Sequence, residues 1–464
     1  MIFNMETKEE IEINEDFKKT LDIMENTNES LLITGKAGTG KTTLQKYFKK
    51  HTKKKVLVVA PTGLAAINAE GQTIHSAFRF PPQFLTKDDV KRVFGTSLYK
   101  RIDTIIIDEV SMVRADMLDA IDCFMRLNGR NPSKPFGGVQ MLLFGDLYQM
   151  PPVVDNDICK IIERLYETPY FFSSNAMKDF NLRKIELTKV FRQKDPEFIN
   201  FLDKVRLGNI CDSDLEYINS RVSNIEPSDD YITLTPTNEI VSFINQSKLS
   251  ELPDKLYIYQ GKVEGKFDLG NNSSKNNNLP ADFELRLKKG AKVMFVKNDS
   301  GGRWVNGTLG KIEELGDDFV RVRIDDDSSI VEVGAETWEK IKQEYDEHSN
   351  NIIAKVTGKY TQIPLKLAWA VTIHKAQGQT LDKTFIDLST GVWEFGHTYV
   401  ALSRCRTCEG IILRNKIFLN DIKVDSRITE FLNNKLNQSS YQSNPSKTLN
   451  DFINEEEKRV QNDK

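Results

Sequence analysis

No apolar run in the 464-residue sequence approaches the roughly 18 residues that a membrane-crossing helix needs. The stretch Met1–Glu15 is acidic and lacks the apolar core of a signal peptide. Neither export nor membrane contact is therefore expected, and in a bacterial cell the expected location is the cytoplasm, at the nucleoid. Cysteine is scarce and odd in number: Cys123, Cys159, Cys211, Cys405 and Cys408. Such a scattered set excludes a disulfide framework and fits a reducing compartment. Cys405 and Cys408 make a lone C-x-x-C without a second pair, which reads as two incidental thiols. Net positive charge is missing too, since 64 basic and 67 acidic residues leave −3. The whole surface thus advertises no nucleic-acid partner, although a groove can be basic while the exterior is acidic. The densest basic run, Lys49-Lys50-His51 and Lys53-Lys54-Lys55, falls where a helix should end and suits its dipole.

What is present is ordinary globular material, 39% hydrophobic and 28% charged, long enough for roughly three domains. One stretch organises it. Leu31-Leu-Ile-Thr-Gly35-Lys-Ala37-Gly38-Thr39-Gly40-Lys41-Thr42-Thr43 runs from an apolar strand through a glycine-rich turn into a helix-forming segment. Gly35, four residues, then Gly40-Lys41-Thr42 is the phosphate-binding loop pattern. Its glycines let backbone N–H groups line one concave nest for a polyphosphate, and the following helix adds its positive end. Lys41 can reach the β- and γ-phosphates, and the Thr42 hydroxyl can ligate Mg²⁺. The chain is expected to bind a nucleoside triphosphate through Gly35, Ala37, Gly38, Thr39, Gly40, Lys41, Thr42 and Thr43.

An amphipathic helix over Phe17–Met24 precedes this loop. A second buried strand, Val56–Ala60, ends at Pro61-Thr62-Gly63, where ligands of open α/β sheets gather; a tight turn entering a helix is an equal alternative on this stretch alone. Gly71 to Pro82 mixes Thr73, His75, Phe78 and Arg79, as stacking and phosphate contacts require; an insertion hairpin with an apolar tip is the compatible alternative. Ile105-Ile106-Ile107-Asp108-Glu109 carries two adjacent carboxylates to the sheet edge. Asp108 would hold Mg²⁺ and Glu109 would polarise the attacking water, which makes the chain a hydrolase. A helix after Met112 gives way to a loop, and a strand from Val139 to Phe144 ends in Gly145-Asp146-Leu147-Tyr148-Gln149. The Gln149 amide could read the state of the γ-phosphate.

Gly-Lys-Ala-Gly-Thr-Gly-Lys-Thr, Ala-Pro-Thr-Gly-Leu-Ala-Ala, Ile-Asp-Glu-Val-Ser-Met and Gly-Asp-Leu-Tyr-Gln-Met-Pro-Pro-Val resemble successive motifs of superfamily 1 helicases. More narrowly they resemble the Pif (petite integration frequency) family of group B, as does Asp116–Gln140 with Arg126 and Pro-Phe-Gly-Gly-Val-Gln. Leu187-Thr-Lys-Val-Phe-Arg192-Gln looks like the motif that opens the second motor domain. The resemblance makes Arg192 an arginine finger. Tyr231 to Asn238 echoes the strand ending at Pro61-Thr62, with Pro236-Thr237 in the same place. Thr-Ile-His374-Lys375-Ala-Gln377-Gly378-Gln-Thr looks like the motif that couples ATP to the DNA strand, and Arg404 like the second finger.

The resemblance covers about residues 30–415 and implies an α/β chain of two RecA-like motor domains (P-loop NTPase). A small wedge insert at about 72–86 interrupts the first, and an SH3-like β-barrel insert interrupts the second. The implied division is 1–186 for the first motor, 187–285 and 361–433 for the second, 286–360 for the barrel and 434–464 for a polar tail. Short alternating strands with Gly and Asn-Gly turns also suggest that barrel. Residues 335–352 read as a charged helix within it, residues 261–282, including Gly270–Asn278, as a mobile polar loop, and Leu449–Val460 as a short helix in the tail.

The expected catalytic set is Lys41, Asp108, Glu109, Gln149, Arg192 and Arg404, with Gly378 added to the nucleotide site and Thr42 and Asp108 on the metal. The expected DNA set is Pro61, Thr62, Gly63, Thr73, His75, Phe78, Thr237, His374, Lys375 and Gln377. ATP and Mg²⁺ are the implied cofactors. Single-stranded DNA and forked or 5′-tailed duplex are the implied partners of a monomeric 5′-to-3′ motor, with G-quadruplex and RNA–DNA hybrid as further candidates. One departure is visible. The family reads adenine with an upstream glutamine, and Ile13–Phe17 has none, leaving Asn14 as the alternative reader. Two rival readings are an ATPase acting on protein and a nucleic-acid-binding module with a vestigial ATPase.

Overall fold

Residues of alternating position along each inner strand of the first sheet go to opposite cores. Leu32, Leu57, Val59, Ile105, Ile107 and Leu143 join one apolar cluster, while Leu31, Ile33, Val58, Ile106, Leu142 and Phe144 join another. A sheet covered on both faces suits parallel strands of continuous apolar sequence. The computed structural model, which describes residues 2–3, 10–11 and 14–434 except 95–96, 226, 266–278, 326 and 347–350, has such a sheet of six strands. Their order is 72–73, 56–60, 104–107, 140–144, 30–35, 182–187, and all pairs are parallel. The phosphate loop leaves the strand Ser30–Gly35, and Asp108 and Glu109 leave Thr104–Ile107.

A second parallel sheet of four strands runs in the order 370–372, 232–235, 384–386, 411–413. Between two of its strands lies an antiparallel sheet of five strands built from 292–295, 309–315, 319–324, 330–334 and 365–367. Burial alternates along Phe319–Ile324 and Ile330–Gly334, as in a sheet with one wet face. Its last strand lies beyond the residue 360 expected as the barrel's end.

Four expectations are corrected here. The stretch expected as a charged helix at 335–352 is instead the strand Glu336–Asp346, paired antiparallel with Asn351–Gln362. Its charge density suits a helix, but the partner strand is rich in Ile, Val and Thr, and cross-strand pairing overrides local preference. Trp338 stacks on its cross-strand partner Tyr360 at 5.7 Å. The second correction concerns residues 426–433, assigned above to the second motor. The helix Ser426–Asn434 buries Ile428, Phe431 and Leu432 in the first motor's core, where Phe431 stacks on Phe172 at 4.3 Å. The third concerns Phe78, expected to stack on bases. It is 1% exposed and packs against Phe80, Tyr99 and Phe124. A sequence shows that an aromatic residue is present but not which way it faces. The fourth concerns the loop expected at 261–282: Lys262–Gly265 is a strand paired antiparallel with residues 358–361, while residues 266–278, like Leu449–Val460, lie outside the described residues.

Candidate nucleotide site between two motor sheets

The phosphate loop takes the conformation its glycines permit. Gly38 and Gly40 lie at φ +79° and +81°, the left-handed region that a side chain resists. A Cβ at Gly38 would come within 2.5 Å of Arg192 Cβ, so the second motor's arginine is packed directly on the loop. The helix Lys41–His51 follows, with Thr42 and Thr43 exposed in its first turn. Lys41 Nζ donates to the carbonyls of Gly35 and Lys36 at 2.6 and 3.0 Å. Burial lowers its pKa against the pull of Asp146 and Glu109.

Asp108 is 8% exposed and accepts the Glu109 amide at 3.0 Å. Burial first, and the neighbouring Glu109 second, push its carboxyl up to about 7. Glu109 sits at φ +49°, a strained position for a non-glycine residue and one found at functional turns. Burial raises it as well, against Lys41 and Arg404. Two adjacent acids that both resist ionisation, with Thr42 exposed on the neighbouring helix, fit a hard divalent cation, whose charge would relieve them.

From the second motor, Arg192 donates to Thr380 Oγ1 at 2.9 Å, Ser403 O at 3.1 Å and Gly378 O at 3.2 Å. Arg404, 1% exposed, donates to the carbonyls of Val400, Ala376 and Gln379 and to Ser403 Oγ. Burial pushes Arg192 down to about 9, helped by Arg404, and pushes Arg404 down to about 10 against Tyr399 and Glu109. Gln377, expected on the DNA strand, lies instead in this cleft. Its Nε2 donates to Glu109 Oε2 at 3.0 Å and to Gln149 Oε1 at 3.1 Å. Gly378 contributes its carbonyl to Arg192.

Three residues that the sequence reading did not assign complete the cleft. Asp146, fully buried, pairs with Arg206 at 3.0 Å and accepts the Tyr399 hydroxyl at 3.0 Å. Burial alone would raise Asp146, but Arg206 and Lys41 outweigh it and hold the carboxyl low. Tyr399 also takes the amide of Ala37 at 2.9 Å, tying the phosphate loop to the second motor. The Gly-Asp dipeptide at the end of Val139–Phe144 was the available signal. Asn14, the alternative adenine reader, caps its own helix, its Oδ1 accepting from Phe17 N at 2.8 Å. Phe17 and Phe191 meet edge to face at 6.4 Å, and a Cβ at Gly40 would lie 3.0 Å from Phe17 and 3.7 Å from Phe191.

The remaining expected DNA residues sit at the carboxyl edges of the two sheets. Thr62, Thr73 and Thr237 each cap a helix, accepting the amide three residues on, and Thr372 accepts from Lys375 N in the same way. Pro61 and His75 are half-buried and Gly63 exposed. Lys375 Nζ lies 3.3 Å from Asn238 Oδ1, beside Thr237, and His374 Nε2 lies 3.1 Å from Glu394 Oε2.

A phosphate loop, paired strand-end carboxylates and arginines from a second parallel sheet define a nucleoside-triphosphate-driven motor with its site between two α/β domains. Residues 12–216 match the family model described as PIF1-like helicase. The chain is 35% identical to a Bacteroides Pif1 solved with ADP-AlF4, with a TM-score of 0.81 over 91% of this chain and 97% of that one. Against the Bacteroides Pif1 bound to single-stranded DNA the TM-score is 0.66, at 36% identity over 91% and 96% of the two chains. It is 30% identical to the ATP-dependent DNA helicase Pif1 of Bdellovibrio bacteriovorus over 89% of this chain and 90% of that protein. It is also 30% identical to the PIF1 of Emericella nidulans, but spans 61% of that longer protein. The chain belongs to the Pif1 helicase family. Among the described residues no helix is long and apolar enough to cross a membrane.

Proposed function

We propose that the chain is an ATP-dependent DNA helicase that moves 5′ to 3′ along a single strand and opens forked or 5′-tailed duplex ahead of it. The observation that carries this reading is the turn from Thr372 to Thr380. Its first residues, His374 and Lys375, are half-buried at the sheet edge beside Thr237 and Asn238. Two residues on, Gln377 donates to Glu109 and Gln149 in the hydrolytic cleft. A strand gripped at one end of so short a turn would move the amide that holds the catalytic carboxylate at the other. The capping threonines at the edges of both sheets support the same reading, since backbone amides at such turns suit phosphate oxygens. The lower likeness to the DNA-bound than to the ADP-AlF4-bound Bacteroides Pif1 is in keeping with motors that shift when a strand is held.

Thr42 and Asp108 would hold Mg²⁺, which supplies charge neutralisation at the β- and γ-phosphates. Lys41 would grip the γ-phosphate, Glu109 would orient and deprotonate the attacking water, and Gln149 would sense the phosphate. Arg192 and Arg404 would turn from neutral oxygens to the phosphoryl group as the domains close, stabilising charge where it develops. The Lys375 ammonium at the strand edge favours a phosphate backbone over a protein substrate.

The test is ATP turnover with and without single-stranded DNA, in the parent and in Gln377→Ala. Strong stimulation in the parent, cut in the variant while DNA binding persists, is the expected result. Unwinding of 5′-tailed but not 3′-tailed duplex checks polarity. Turnover indifferent to DNA would sink the helicase reading.

A further inference from the structure

Between the second motor's coupling turn and the helix His397–Leu402, three side chains of another chemistry converge. His374 leaves the end of the strand Ala370–Thr372, Glu394 lies in the loop before the helix His397–Leu402, and His397 opens that helix. His374 Nε2 and His397 Nε2 stand 3.1 and 3.4 Å from the same oxygen, Glu394 Oε2. One ligand atom from each residue can be chosen so that all lie within 4.8 Å of one another. The two imidazole rings are perpendicular, with centroids 5.1 Å apart, so they converge edge to face and do not stack.

A hydrogen bond from His374 to Glu394 would account for two of the three residues and leave His397 unexplained. His397 is 0% exposed, and neither of its ring nitrogens makes a hydrogen bond within the protein. Buried imidazoles are ordinarily satisfied. Its Nε2 stands 3.4 Å from Glu394 Oε2 without making a hydrogen bond to it. Ligand bonds of roughly 2.0–2.2 Å place tetrahedral donors about 3.2–3.6 Å apart, close to the two measured separations.

We propose that His374, Glu394 and His397 form a binding site for a borderline divalent transition metal, Zn²⁺ foremost, separate from the Mg²⁺ site at the phosphates. Two imidazoles and a carboxylate are a Zn²⁺ donor set that leaves a fourth position open. Mg²⁺, which prefers oxygen donors and its own water shell, is excluded by the same set. The ion would staple the coupling turn to the helix that carries Tyr399, and Arg404 just beyond it. With His374 so held, Lys375 would be the residue of that turn left to contact the nucleic-acid strand. Gly396 fixes the geometry of that staple: it lies at φ +76°, and a Cβ there would come within 2.4 Å of the Gln149 carbonyl.

The experiment uses the full chain, stripped with chelator and titrated with Zn²⁺ in excess Mg²⁺ by calorimetry. Co²⁺ then replaces Zn²⁺ and its visible spectrum is recorded. One equivalent should bind, with tetrahedral or five-coordinate Co²⁺ bands and no thiolate charge-transfer band. His397→Gln and Glu394→Gln should each weaken binding by on the order of 10²-fold. Because His397 is fully buried, Glu394→Gln, at a half-exposed position, keeps the test informative if the histidine variant folds poorly. No saturable binding, a thiolate band that assigns the ion to cysteine, or equal affinity in Glu394→Gln would each overturn the proposal. None of these readouts depends on ATP turnover, so the site stands or falls apart from the helicase reading.

Discussion

The two halves of the nucleotide site hold charge of opposite sign in the same uncomfortable way. The first motor presents Asp108 and Glu109 from a strand end, where burial raises both acids. The second presents Arg192 and Arg404 from loop and helix ends, where burial lowers both bases. The described donors of both arginines go to hydroxyl and carbonyl oxygens. By contrast, Asp146 and Arg206, equally buried, are matched and quiet. The difference separates structure from machinery. A satisfied ion pair holds the domains in register, whereas unsatisfied charges on either side are relieved only when phosphate and cation arrive between them.

Breaking the second half should cost most. Arg404→Ala and Arg192→Ala should each lower ATP turnover about 10³-fold or more, read in steady-state kinetics with saturating single-stranded DNA. Arg404→Ala should also lower the melting temperature, because its guanidinium ties the coupling turn to its helix. Breaking the first half comes next: Glu109→Gln should lower turnover roughly 10²–10⁴-fold while leaving DNA binding measurable by fluorescence anisotropy. Gln377→Ala, which cuts the link between the halves, should reduce the stimulation by DNA about tenfold, near the worth of one hydrogen bond to a charged group.

Asp108→Asn tests the strain itself. A carboxyl raised from 3.8 to about 7 on folding lends stability that is whole below about pH 4 and is lost as pH rises through about 7. Without nucleotide or metal, the parent should therefore melt lower at pH 8 than at pH 5. The variant should flatten that slope and gain about 1–3 kcal/mol at pH 8, followed by thermal denaturation, even as its turnover collapses. The smallest effect belongs to Phe78→Leu, a buried exchange that should change affinity for single-stranded DNA by less than about twofold. A large loss there would restore Phe78 as a base-stacking residue.

These contrasts also mark what could be read in advance. Gly35 to Thr43 and Asp108-Glu109 were legible because each does its chemistry within a few contiguous residues leaving a strand. Asp146, Arg206 and Tyr399 were not, because their pairing spans 60 and 253 residues, and no local pattern marks a partner so distant. Gln377 sat in a recognised string and was set on the DNA strand, whereas its amide donates to Glu109 and Gln149, because a string carries no direction. The same blindness to facing placed Phe78 on the surface. The Glu336–Asp346 strand was misread because its partner strand, and not its own composition, decides its state.

The helix Ser426–Asn434 gives the motor its mechanics. The chain leaves the first motor after Leu187 and comes back to it after Leu413, so the two bodies are joined at two places. A plate pinned once can swivel any way; pinned twice, it turns about the line between the pins. The second connection restricts how the two bodies can turn against each other.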